Sequence, residues 1–181
     1  MNMFKHVIDE GLSLKLLDIR DAARLFELTN QDRDMLAEWL PWVMHTHSAS
    51  DSENYIRSQL DVFARGIGIS CGIVYQGEVA GCISLMDINQ ANRKATIGYW
   101  LGSAYQGKGL MTKSCKALID YSFAELGLNR IEIRAGVGNQ KSRSIPERLG
   151  FTEEGVIRQA ELNGDRYIDH VVYGILASEW T

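Results

Sequence analysis

Leu12, Leu14 and Leu16 alternate with polar neighbours, the period-two pattern of a half-buried strand. Over 21–28 the apolar residues recur at helical spacing instead, so a strand feeds a helix. Ser50 followed by Glu53 has the form of a capping box and predicts a helix through Tyr55, Ile56, Leu60, Val62 and Phe63 that stops at Gly66. Residues 67–75 and 78–86 are β-rich runs joined at Gln76-Gly77, which reads as a tight hairpin, and 95–101 continues the antiparallel meander. From Gly107 the period switches again. Leu110, Met111, Ala117, Leu118, Tyr121, Ser122 and Leu126 share a helical face, and Gly127 ends the helix. Residues 130–137 then read as a strand, 141–149 as a short helix that Pro146 must kink or delay, and 151–161 and 166–176 as two strands with a hairpin signal at Asn163-Gly164.

The order is strand, helices, antiparallel strands, helix, strand, helix, hairpin. That predicts an α+β fold, a mixed sheet covered by helices, and not an alternating doubly wound array. A chain of 181 residues, 45% hydrophobic, with no repeat or low-complexity linker, fits one domain over 1–181. A net charge of −4 supplies no basic field for nucleic acid or anionic lipid. The residues from Met1 to Glu10 lack the apolar block of a signal peptide, and no apolar run reaches membrane-spanning length, so neither nucleic acid nor membrane is expected as a partner and the expected location is cytoplasmic. Cys71, Cys82 and Cys115 are odd in number, widely spaced and set in apolar or helical runs, so they read as reduced thiols and no metal site is expected.

Candidate chemistry begins at Tyr105-Gln106-Gly107-Lys108-Gly109-Leu110, where the meander meets the long helix. A glycine turn at a helix N-terminus exposes unpaired backbone N–H groups at the positive end of the helix dipole, a good seat for a phosphate. Gly107 and Gly109 let the backbone approach the anion, and Lys108 adds a charge. A turn that merely connects two elements has the same look, so the pattern alone is weak. The Walker spacing and the dinucleotide fingerprint are both absent.

A second block lies downstream, Asn139-Gln140-Lys141-Ser142-Arg143-Ser144-Ile145-Pro146-Glu147-Arg148-Leu149-Gly150-Phe151. With Gln106 and Gly109, the residues Asn139, Ser142, Glu147, Arg148, Gly150 and Phe151 resemble the two motif blocks of the GNAT N-acetyltransferase superfamily. The runs Ile97-Gly98-Tyr99-Trp100-Leu101, Arg158-Gln159-Ala160-Glu161 and Trp39-Leu40-Pro41-Trp42 are similar to the branch that acetylates ribosomal-protein N-termini.

The resemblance implies a mostly antiparallel sheet with helices on both faces, in which the strands at 95–101 and 130–137 splay apart to admit the pantetheine arm of acetyl-CoA. It implies direct transfer without metal or covalent intermediate. The pyrophosphate would be held by Gln106, Gly107, Lys108, Gly109 and Leu110, and the arm oriented by Asn139. Ser142 would protonate the thiolate and Glu161 would be the general base. Asn139 and Ser142 also suit plain helix capping, and Glu161 a solvated strand position. Met111 stands at the last small position of the phosphate motif, tolerable if it faces the core, and Thr96 replaces a glutamate common in relatives. Trp39, Pro41 and Trp42 with His45 and His47 are candidates for an acceptor wall, or for a core patch with loop histidines. The expected acceptor is a protein N-terminus. A small amine or a non-catalytic acetyl-CoA-binding module is the alternative, and the resemblance suggests a homodimer or higher homo-oligomer.

Overall fold

The computed structural model describes residues 5–181, so the first four residues of the N-terminal stretch lie outside it. In chain order it holds β1 (Lys5–Asp9), β2 (Leu12–Leu16), α1 (Ala22–Gln31), α2 (Arg33–Ala37), α3 (Ala49–Ala64), β3 (Ile69–Tyr75), β4 (Glu78–Asn89) and β5 (Lys94–Leu101). After these come α4 (Leu110–Ala124), β6 (Arg130–Gly136), α5 (Gln140–Arg148), β7 (Thr152–Asn163) and β8 (Arg166–Leu176). The strands make one sheet in the order β1-β2-β3-β4-β5-β6-β8-β7, and β5–β6 is its single parallel contact. The expected α+β fold with a mostly antiparallel sheet is the one observed.

Strand parity divides the core. Ile83, Ile97, Ile131 and Ile133 face α4 and α5, where they meet Cys115, Leu118 and Ile145. Val74, Val79 and Cys82 point the other way, onto Leu25 and Leu28 of α1 and Ile56 of α3. Each such side chain taken out of water contributes roughly 1.5–3 kcal/mol, so helices are needed on both faces. Beyond β6 a charged row runs across the second face: Glu132 bonds Arg130 and Arg134, and Arg130 also holds Glu154.

β5 and β6 pair only from Lys94↔Arg130 to Ile97↔Ile133. Past that point β5 stays on β4 through Leu101, and β6 stays on β8 through Gly136. The two strands therefore diverge with their facing edges open, as the resemblance implied.

Several local expectations shift. The capping box is Ser48 with Asp51, not Ser50 with Glu53, and Ser50 lies inside α3. The β7–β8 turn is Gly164-Asp165 with Asn163 paired to Arg166, so the hairpin lies one residue past Asn163-Gly164. No element is expected from the sequence at β1, the short α2 or the 3-10 turn Pro41–His45. Asn163 is buried because its amide donates to the carbonyls of Ala37 and Glu38 at 2.9 and 3.1 Å, fastening the hairpin to the segment after α2. Asn163→Ala strands both carbonyls at a cost of about 1–3 kcal/mol. Thermal unfolding should shift down by roughly 2–10 °C for a domain of this size, and an unchanged midpoint would show that the fastening carries no stability.

Candidate active site

The glycine turn is pinned from two sides before α4 begins. Ser103 bonds Asp32 through both its N–H (2.7 Å) and its hydroxyl (2.6 Å), and the Tyr105 hydroxyl accepts from Arg24 at 2.8 Å. Gly107 and Gly109 have φ of 75 and 73°, the left-handed region, and an added β-carbon at either would meet nothing within 4 Å. α4 therefore starts at Gly109 with no side-chain cap. The backbone N–H groups from Gly107 to Thr112 find no acceptor among the described residues. That is the chemistry of an anion seat.

The named side chains do different things there. Gln106 turns inward: its amide donates to the Leu101 carbonyl at 3.2 Å and its oxygen accepts from Lys141 at 3.2 Å, so it braces the turn against the end of β5. Lys108 lies over the rings of Tyr75 and Tyr105, 5.6 and 5.7 Å from their centroids. Leu110 and Met111 are buried in the core, which leaves only their N–H groups for a ligand and explains why a bulky residue is tolerated at Met111. Sequence reasoning gave no role to Lys141 or Arg148. Lys141 reaches the turn through Gln106, and Arg148 through the Thr112 hydroxyl at 3.2 Å. Neither has a carboxylate partner among the described residues, so both charges are free to meet a polyphosphate.

Asn139 caps α5 by accepting from the Ser142 N–H at 3.1 Å, the local role that competed with cofactor contact. Pro146 lies inside α5 without breaking it. Having no N–H, it leaves the Ser142 carbonyl without its helical donor. The Tyr99 hydroxyl supplies the missing bond at 3.0 Å, and the Ser142 hydroxyl donates back to Tyr99 at 3.4 Å. Tyr99 sits on the unpaired stretch of β5, so this exchange ties Ser142 to the mouth of the splay. Burial pushes the Tyr99 phenol well above its usual range, so it stays neutral. Tyr99→Phe removes both of these bonds and, if Ser142 serves the transfer, should lower kcat roughly fivefold to tenfold while leaving acetyl-CoA binding nearly unchanged; an unaltered kcat would detach Tyr99 from any such role.

Glu161 approaches from the other face. Tyr173 of β8 bonds α5 residues Arg143 and Glu147, which places the odd-numbered side chains of β8 on the α5 face and its even-numbered ones opposite. His170 and Ile168 are on that opposite face, and Glu161 pairs with Ile168 and lies 3.3 Å from His170 Nε2. Ser142 and Glu161 thus lie on opposite faces of the sheet, Ser142 beside the diverging end of β5 and Glu161 on β7, with β8 between it and β6. The glutamate missing at Thr96 has a neighbour in Glu132, directly across on β6. Burial pushes the Glu132 carboxyl up, but hydrogen bonds from Arg134 and Arg130 outweigh it and leave it below the usual carboxylate range, a poor base.

The tryptophans meet the open strand ends. A β-carbon at Gly136 would come within 2.8 Å of Trp39, and Trp42 packs against Trp100 of β5 with ring centroids 5.7 Å apart and planes tilted by 52°. Arg33 holds the Pro41 turn by donating to the Val43 and Thr46 carbonyls. His45 and His47 are exposed and stand outside this wall. The three thiols are free, and burial raises all of them, Cys71 to about 12 and Cys82 to about 11, so none is a ready nucleophile.

A profile of the acetyltransferase (GNAT) domain matches residues 12–152. The chain belongs to the GNAT acetyltransferase family. This GNAT chain is 42% identical over 179 residues to the putative ribosomal N-acetyltransferase YdaF of Bacillus subtilis, covering 98% of each. It is 36% identical over 157 residues to spermidine N(1)-acetyltransferase of Escherichia coli, covering 85% of this chain and 80% of that one. Among solved structures it resembles RimL, a ribosomal L7/L12 alpha-N-protein acetyltransferase in complex with coenzyme A, with a TM-score of 0.90, 29% identity and coverage of 95% and 97%. The GNAT membership makes it an enzyme of the acyltransferase class. No helix of the described residues is long and apolar enough to cross a membrane.

Proposed function

We propose that this chain transfers the acetyl group of acetyl-CoA directly to the α-amine of a protein N-terminus, with a ribosomal protein as the substrate. The observation that carries the proposal is the splay of β5 from β6, with a hydroxyl donor, Ser142, tied to its mouth by Tyr99, and a carboxylate, Glu161, on the opposite face of the sheet beside His170. The residues fit the cosubstrate: open N–H groups from Gly107 to Thr112 and the charges of Lys141 and Arg148 suit its phosphates, and the free edge of β5 beyond Ile97 suits the amide-bearing arm. Acetyl-CoA supplies an activated thioester. Glu161 takes the proton of the attacking amine, and the Ser142 hydroxyl holds a proton for the departing thiolate. The raised thiol pKa values favour this direct route over an acetyl-cysteine.

The likeness to a spermidine acetyltransferase supports a second reading, a polyamine acceptor. A polycation calls for uncompensated carboxylates at the acceptor face. Here Glu132 and Glu154 are matched by Arg130 and Arg134, so this row beside the splay holds no spare carboxylate for a polycation, which favours the peptide. A homodimer acting in the cytoplasm completes the proposal, supported by the family resemblance and checked by sedimentation velocity. The deciding test offers acetyl-CoA with a free N-terminal peptide, the same peptide blocked and carrying lysine, spermidine and an aminoglycoside, read by mass spectrometry. Acetylation confined to free α-amines supports the proposal, spermidine turnover replaces the acceptor, and binding without turnover makes the chain an acetyl-CoA-binding module.

A further inference from the structure

Glu161 sits on β7, the outermost strand of the sheet, and its side chain is 37% exposed. An unrestrained glutamate on an open edge spreads over many rotamers, whereas a general base must stay within hydrogen-bond reach of its proton. Two features, one on β7 itself and one on β8, the strand inside it, remove that freedom. The first is a bulge. Ile157 pairs with His170 and Glu161 with Ile168, so four steps along β7 match two along β8. The extra residues, centred on Gln159 with φ of 51°, are held by the Asp169 carboxylate, which accepts the Gln159 N–H at 2.7 Å. In an unbroken ladder Gln159 would stand opposite Ile168. The bulge puts Glu161 there and keeps its side chain on the face of His170.

The second feature is His170 itself. Its ring, with only 18% of its side chain exposed, lies on an inner strand opposite Gly136, where β6 has parted from β5, and its Nε2 is 3.3 Å from Glu161 Oε2. From there Nε2 faces one carboxylate oxygen, Oε2, and Oε1 is left for the incoming amine. We propose that His170 is a positioning residue for the acetyl transfer, holding the Glu161 carboxylate in the orientation from which it takes the amine's proton. The inference rests on the assignment of Glu161 as base. His170 touches no reacting atom and acts through Glu161 alone.

A double-mutant cycle on an N-terminal peptide substrate tests this. Asparagine and glutamine are both polar at position 170, but only glutamine carries an amide long enough to stand near the place of Nε2. Glu161→Gln should lower kcat roughly 30-fold, below the usual range for a general base because an α-amine is already partly neutral. His170→Asn should lower kcat roughly fivefold to tenfold, the worth of one modest polar contact, with the KM for acetyl-CoA unchanged. His170→Gln should recover to within about twofold of wild type, and His170→Asn added to Glu161→Gln should cost nothing further. Melting temperatures and acetyl-CoA affinity, read on every variant, confirm folded protein. An undiminished kcat in His170→Asn, a glutamine variant as slow as the asparagine one, or an equal loss in the Glu161→Gln background overturns the positioning role. Wild-type rate in Glu161→Gln alone overturns the base assignment instead, so the two failures are told apart.

Discussion

Gly109→Asp leaves the protein folded and weakens acetyl-CoA binding by a few hundred-fold. The site is exposed, a β-carbon there meets nothing within 4 Å, and φ is 73°. Aspartate enters the left-handed region more readily than most residues, at a cost of about 1 kcal/mol. Its carboxylate then stands at the head of α4, where the open N–H groups converge and a diphosphate would lie. Two unit charges about 5 Å apart at an effective dielectric near 20 repel by roughly 3 kcal/mol, a factor of about 250 in affinity. Gly109→Asn has almost the same shape without the charge, so it should lose less than about tenfold. Calorimetric titration with acetyl-CoA measures both, and thermal unfolding shows that the fold survives. Equal losses in the two variants would assign the effect to shape; unchanged affinity in the aspartate variant would move the phosphates away from this turn.

The features that could be read without coordinates are those that depend on neighbours in sequence. Gln76 and Gly77, both at positive φ, make the hairpin that their residue types announce, and the switch to helical spacing after Gly107 marks α4. Ambiguity entered where two local solutions overlap. Ser48-Asp51 and Ser50-Glu53 both satisfy the capping-box spacing, and only the path of the chain into α3 selects the first. Asn163-Gly164 and Gly164-Asp165 are both good turn pairs, and the second forms because Asn163 is taken by the carbonyls of Ala37 and Glu38, distant in sequence. β1 is exposed over its first half and exists because β2 offers it an edge, which no periodicity in Lys5–Asp9 could disclose. The site divides in the same way. The glycine turn was legible, as was the Asn139-Ser142 spacing. The link from Tyr99 to Ser142 was not, since it needs both the missing N–H of Pro146 and the approach of β5 to α5. The contact of Glu161 with His170 depends on a bulge that strand propensity does not reveal.

At pH 7 a peptide with a free α-amine should be acetylated with a kcat/KM about two hundred times that of the same peptide blocked at its N-terminus and carrying lysine, because the α-amine titrates near 8 and lysine near 10.4. The argument starts from how little help the site offers a protonated amine. Thr96 carries no carboxylate, and Glu132 is committed to Arg130 and Arg134. On the proposed assignment Glu161 is the base, and the Arg130–Arg134 row, matched to Glu132 and Glu154, offers no spare carboxylate to hold an ammonium. Without strong desolvation by carboxylates the rate follows the fraction of amine already neutral, and the sign with pH follows. Raising pH neutralises the α-amine first, so its rate levels off above about pH 8 while that of lysine keeps climbing, and the preference should shrink to roughly 25-fold at pH 9. Competition between the two peptides, followed by mass spectrometry from pH 6.5 to 9, reads the ratio directly. A ratio that falls along this curve means the enzyme selects α-amines largely by their basicity. A large ratio that stays flat with pH would mean that the acceptor wall of Trp39 and Trp42 recognises the peptide terminus by shape, and a preference for lysine would remove the N-terminal acceptor altogether.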